Sequence, residues 1–249
     1  MSIVIRFVAC AVLISTRLLS PGEAEAQWGT IKGQVTVIGN VPALRVLVHK
    51  NPAVGIAEDI PDESLVIDPK SNGLANVLVW VPRKPGVIHP DLASSKSNEV
   101  VFKLKGHRFI PHVLLVRTDQ QVRVVSEDGV AENVHTNFVK NDNLNVLLNN
   151  DRLEIVVANL TQAERFPRRV NCDLHAWMDA YWVILDHPYV AVTNEKGEFE
   201  IANLPEGEHE FRVWQEKIGY VEKSYKVTVK AGMNTLDPIK VPAERFMMK

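Results

Sequence analysis

Val170-Asn171-Cys172-Asp173-Leu174-His175-Ala176-Trp177-Met178-Asp179-Ala180-Tyr181-Trp182-Val183-Ile184-Leu185 is the stretch from which the rest of the chain can be read. Val170 ends an extended lead-in, and Tyr181 to Leu185 is an aromatic and β-branched run of the kind that forms a strand. Between them, Cys172, His175 and Met178 set a thiol, an imidazole and a thioether at three-residue intervals. A tight loop between two strands can turn all three toward one point. The chain has one other cysteine, Cys10, which lies in a segment expected to be removed. Cys172 then has no disulfide partner and needs another explanation.

That segment reads as an export signal: Arg6 is its positive end, Phe7 to Ser15 its apolar core, and Ala24-Glu25-Ala26 its cleavage site. The core is too short to span a bilayer, and no later apolar run is long enough for a membrane helix. A periplasmic or secreted location is therefore expected, with residues 1–26 as signal peptide and no membrane span once it is removed. The formal net charge of −2 and the lack of a basic run argue against nucleic acid as the partner. No nucleophile elbow, H-E-x-x-H or paired-acid motif points to catalysis, so the protein is not expected to be an enzyme.

Outward from the loop, the chain reads as all β. Short β-branched runs recur between Gly, Pro, Asn and Asp. Thr30 to Val37 and Leu74 to Val81 are strands, the second more buried, with a Pro-rich acidic loop from Asn51 to Ser71 between them. Val100 to Leu104, Val113 to Val116, Gln121 to Val125, Asn133 to Phe138 and Leu153 to Ala158 follow. In Gln121 to Val125, Val122 and Val124 face one way while Gln121 and Arg123 face the other. Beyond His187, Val190 to Thr193 and Glu198 to Ile201 form a hairpin by pattern about Asn194-Glu195-Lys196-Gly197. Glu208 to Trp214 and Tyr225 to Val229 complete a small antiparallel sandwich. The expected division is an N-terminal β segment over 27–85 packed with the central domain, a central sandwich over 86–186 and a C-terminal sandwich over 187–249.

A thiolate suits Cu(I), Zn or iron–sulfur centres, and a His₂Cys set with a weak axial Met suits electron-transfer copper. Cys172, His175 and Met178 fill three of those four places. The fourth ligand must come from a neighbouring strand, and Ala131-Glu132-Asn133-Val134-His135-Thr136 is the well-placed source.

Five stretches carry a resemblance: Gly106-His107-Arg108-Phe109-Ile110-Pro111-His112-Val113, Asp119-Gln120-Gln121-Val122, Glu132-Asn133-Val134-His135, Cys172 to Met178, and Asp186-His187-Pro188-Tyr189. In these the chain resembles the cupredoxin-type exported proteins associated with methylamine utilisation. That resemblance implies a cupredoxin-like Greek-key sandwich followed by a small transthyretin-like, carboxypeptidase-regulatory-like β-sandwich. It also implies one bound copper ion, single-electron transfer and a redox partner protein. Asn133 matches the asparagine that ties the family's two ligand loops by hydrogen bonds.

The chain departs from the family at Glu132, where the first imidazole ligand would stand. Either Glu132 binds through oxygen or His135 swings in. Alternation places His135 on the opposite face of an extended segment, and a bulge could restore it. A carboxylate there would favour Cu(II) and make Zn a more credible occupant. His107 stands where the family often has cysteine, and the sequence gives it no role. The alternative reading is a periplasmic or surface β-sandwich that binds a sugar or protein, its metal site degenerate.

Overall fold

The computed structural model describes residues 27–247, so the signal-peptide reading of 1–26, with Cys10, lies outside the described residues. The protein is all β, built as two sandwiches that stack back to back. In the first sheet, β1 (Trp28–Ile38) pairs with β15 (Glu198–Pro205), β18 (Gly232–Thr235) and β19 (Ile239–Pro242). The second sheet runs β14 (Val190–Val192), β4 (Leu78–Trp80), β16 (Gly207–Gln215), β17 (Gly219–Val229). The third runs β10 (Asn145–Leu148), β9 (Glu132–Thr136), β12 (Arg168–Asn171), β13 (Asp179–Leu185), β7 (Val113–Arg117). The fourth runs β11 (Glu154–Val157), β8 (Gln121–Ser126), β5 (Glu99–Leu104), β6 (Phe109–Ile110). A two-stranded ribbon, β2 (Val46–Val48) with β3 (Ile60–Pro61), stands apart.

The two inner sheets explain the long apolar runs. A strand covered on both faces loses the polar half of its alternation. On the segment around β4, Val77, Val79 and Val81 enter the core shared with the first sheet, while Leu78 and Trp80 face the third. On β13, Ala180, Trp182 and Ile184 enter the core of the central sandwich, and Val183 and Leu185 meet Leu78 and Trp80. Half-buried β8 keeps its alternation, with Val122 and Val124 fully buried and Arg123 turned outward to Glu99 and Glu154.

Two expectations about organisation are corrected. The 27–85 segment does not supply strands to the central sandwich; its strands β1 and β4 complete the C-terminal one. Residues 187–249 alone are therefore not a sandwich. Ile31, Val35 and Val37 on β1 bury against Phe199, Ile201, Phe211 and Val229. Gly33 lies under the Phe199 ring, where a Cβ would come within 2.5 Å of it. Sequence neighbourhood misled because the β1–β15 pairing joins positions more than 160 residues apart and the pairings of β4 join positions at least 110 apart. The second correction concerns 190–201. The turn at 194–197 forms, with Asn194 Oδ1 accepting from the Glu198 main chain at 2.9 Å. Its flanking strands, however, enter different sheets, so it is a sheet-to-sheet crossover and not a hairpin.

Candidate metal centre

Short β12 positions the site. It lies between β9 and β13, pairing Val170 with Thr136 and Asn171 with His135. The loop that follows it therefore begins beside Glu132 and Asn133. The loop closes on itself: the Cys172 N–H donates to the Met178 carbonyl at 3.1 Å, and the Met178 N–H to the His175 carbonyl at 2.9 Å. Cys172 and Met178 are 3% and 1% exposed and share the core of the central sandwich. His175 Nδ1 lies 3.7 Å from Cys172 Sγ and 4.0 Å from Glu132 Oε1.

Strand alternation sets the partner side. β9 is paired with β10 in unbroken register and carries no bulge. Glu132, Val134 and Thr136 point inward, and Glu132 is fully buried. His135, weighed as a ligand by way of a bulge, instead points to the surface, its Nδ1 3.0 Å from Asp173 Oδ1. The expectation that it could swing in is corrected: regular extended backbone puts every second residue on one face, so Glu132 and His135, three positions apart, face opposite ways.

Asn133 joins the two loops. Its main-chain N–H donates to Cys172 Sγ at 3.4 Å, and its Oδ1 accepts from the Asp173 N–H at 2.6 Å. Its Nδ2 donates to Asn145 Oδ1 at 2.7 Å and to Asp173 Oδ2 at 2.9 Å. His135, then Asn145 and Asn133, hold the Asp173 carboxyl down at about 2.

The remaining member had no role assigned from sequence. His107 sits in the turn between β5 and β6, and its Nδ1 is 3.1 Å from Glu132 Oε1. Asp128 accepts from the Gly106 and His107 main-chain N–H groups at 2.7 and 2.9 Å. One donor atom each of His107, Glu132 and His175 fall within 4.8 Å of one another. No spacing motif links positions 107, 132 and 175, because the donors come from a turn, a strand and a loop that are far apart in the chain. The faint trace was a Gly-His pair after β5 and an Asp-Gly turn after β8, the strand that pairs with β5.

The donor set fits a transition-metal ion. Donors bound to one ion at about 2.0–2.3 Å in tetrahedral geometry lie roughly 3.3–3.8 Å from each other; here His107 Nδ1 is 3.1 Å from Glu132 Oε1, and His175 Nδ1 is 3.7 Å from Cys172 Sγ and 4.0 Å from Glu132 Oε1, while the group whose donors all lie within 4.8 Å of one another is His107, Glu132 and His175, without Cys172. Among the described residues, the buried Glu132 Oε2 has no hydrogen-bond partner. Burial, with the Asp128 charge beside it, raises the Glu132 pKa, against the pull of His107. A buried, half-satisfied carboxylate is costly unless a cation neutralises it. Burial, with His107 nearby, lowers the His175 pKa and favours its neutral, ligating form.

No family model and no curated protein matches this chain. Parts of it are similar to solved structures. One is a Cu-containing nitrite reductase from Thermus scotoductus SA-01, at 16% identity and a TM-score of 0.31, over 41% of this chain and 25% of that one. Another is a reduced mutant of amicyanin, at 15% identity and a TM-score of 0.31, over 43% and 97%. A third is a mutant plastocyanin of fern, at 12% identity and a TM-score of 0.29, over 34% and 99%. The chain thus spans a quarter of the nitrite reductase. Likeness this distant carries no argument about the site, which stands on side-chain geometry.

Proposed function

We propose that this chain is an exported copper-binding protein that carries single electrons, and that Cys172, His175, Glu132 and the Met178 thioether are the residues that would hold the metal. One observation carries the reading: at one end of the central sandwich the His175 imidazole lies between a buried thiol, 3.7 Å away, and a buried carboxylate, 4.0 Å away, one of whose oxygens has no hydrogen-bond partner among the described residues. Copper, when bound, alternates between two oxidation states and so takes up or gives up one electron.

The chain's residues prepare that exchange. The Asn133 N–H donates to Cys172 Sγ and stabilises negative charge on sulfur. Asn133 and the closed loop hold the donors before any ion arrives, so little rearrangement accompanies a change of charge. His175, with 22% of its side chain exposed, is the ligand nearest the surface and the natural edge for contact with a redox partner protein. Trp177 packs on the His175 ring at 5.0 Å between centroids and limits its movement. Glu132 supplies a hard oxygen that favours Cu(II) over Cu(I) and leaves Zn as a competitor.

The test is a Cu(II) titration of the purified protein followed by visible absorption. The reading expects a thiolate-to-copper charge-transfer band that saturates at one equivalent and is absent in Cys172→Ala. A wild type with no such band, purified with sub-stoichiometric copper and zinc, would favour the degenerate-site sandwich instead.

A further inference from the structure

We infer that His107 is a second imidazole ligand, binding through Nδ1 from the turn between β5 and β6 and restoring the nitrogen that position 132 does not provide. The inference rests on the copper reading above and deepens it.

His107 is held at each polar atom by a different part of the chain. Its N–H donates to Asp128 Oδ2 at 2.9 Å, and its carbonyl accepts from Trp177 Nε1 at 3.2 Å. Its Nε2 faces the Gly55 carbonyl at 3.4 Å, and its Nδ1 faces Glu132 Oε1 at 3.1 Å. The residue takes a left-handed backbone, φ 55°, which costs a non-glycine residue on the order of 1 kcal/mol and persists only where the surroundings impose it. Asp128 and Trp177 impose it here. Trp177 belongs to the Cys172–Met178 loop, so the turn and the loop are tied together directly.

The ring's partners determine what Nδ1 needs. In the tautomer with the ring proton on Nε2, that proton points to the Gly55 carbonyl at 3.4 Å, which only accepts. Nδ1 then presents a lone pair to Glu132 Oε1, which also only accepts when ionised. Two acceptors 3.1 Å apart repel unless a cation or a proton lies between them. His175 Nδ1 lies 4.0 Å from the same Oε1. A metal ion at that point satisfies both imidazoles and the carboxylate at once. The N–H to carbonyl contact on the far side of a ligating imidazole is a common device for fixing tautomer and ring orientation. Here it comes from Gly55, in the connection between β2 and β3, so the N-terminal ribbon lies against the centre.

The experiment loads the full chain with one equivalent of Cu(II) and counts coordinated imidazoles by pulsed EPR. Wild type is expected to show two, and His107→Asn one, with copper affinity at least about tenfold weaker and the second nitrogen signal recovered on adding free imidazole. Asparagine is chosen because it tolerates the left-handed backbone. His135→Asn is expected to keep both imidazoles. If His107→Asn does not fold, two imidazoles retained in His135→Asn still assign the second one to His107. One imidazole in wild type, unchanged in His107→Asn, would overturn the ligand role of His107 and leave the copper reading intact. No copper uptake by wild type would overturn both.

Discussion

Replacing Asn133 by alanine tests whether the strand and the loop are held together before metal binds. Asn133 is 5% exposed, and its side chain accepts from the Asp173 N–H and donates to Asn145 Oδ1. Each such bond contributes about 1 kcal/mol net, so their loss costs about 2 kcal/mol. The third bond, to the Asp173 carboxylate at the surface, is replaced by water and is left out of the sum. At a urea m-value of about 2 kcal/mol/M, the unfolding midpoint falls by about 1 M. The assay is urea unfolding followed by tryptophan fluorescence on the metal-free protein, repeated with copper bound. Loosening the loop also frees Cys172 and His175 relative to Glu132, so copper affinity is expected to fall by about 10–100-fold. Asn145→Ala, which removes one of the bonds, should show a smaller loss in both. An Asn133→Ala protein with the wild-type midpoint and unchanged copper affinity would refute the claim that this residue assembles the site.

Three further outcomes are expected. Trp80→Ala removes a side chain, 3% exposed, from the layer between the two sandwiches; it should cost about 3–5 kcal/mol in calorimetry, and a loss under about 1 kcal/mol would contradict the stacked arrangement. His135→Ala removes a surface contact to Asp173 and no ligand, so copper stoichiometry and affinity should match wild type; a tenfold loss would return His135 to the site. The last concerns pH. Burial works against a charged His112, but its bond to Glu216 at 3.0 Å and that group's charge prevail and raise its pKa above 6.5. A raised folded pKa gives stability that is complete below the ordinary value and lost as pH rises through the folded one. Wild type should therefore lose melting temperature with rising pH above about 6.5 more steeply than Glu216→Gln, and parallel curves would count against the pair.

Much of the fold was legible where one face alone carries the pattern. Val122 and Val124 against Gln121 and Arg123 announced β8 because water on one side enforces alternation. β12 left little trace: it is four residues long and buries Val170 alone. β18, Gly232–Thr235, has no apolar face at all and is held by its parallel pairing with β1. Which sandwich β1 and β4 join was not legible either, since the partners of β1 lie near the other end of the chain. The site divides in the same way. Cys172, His175 and Met178 share one loop, so their spacing was visible, and alternation correctly separated Glu132 from His135. His107 reaches the same point through tertiary folding and through a backbone conformation that no side-chain pattern encodes.

X-ray absorption at the copper edge of the singly loaded protein tests the central claim most directly. The account predicts one short sulfur scatterer among nitrogen and oxygen neighbours, lost in Cys172→Ala. A coordination shell of nitrogen and oxygen alone in the wild type would contradict it.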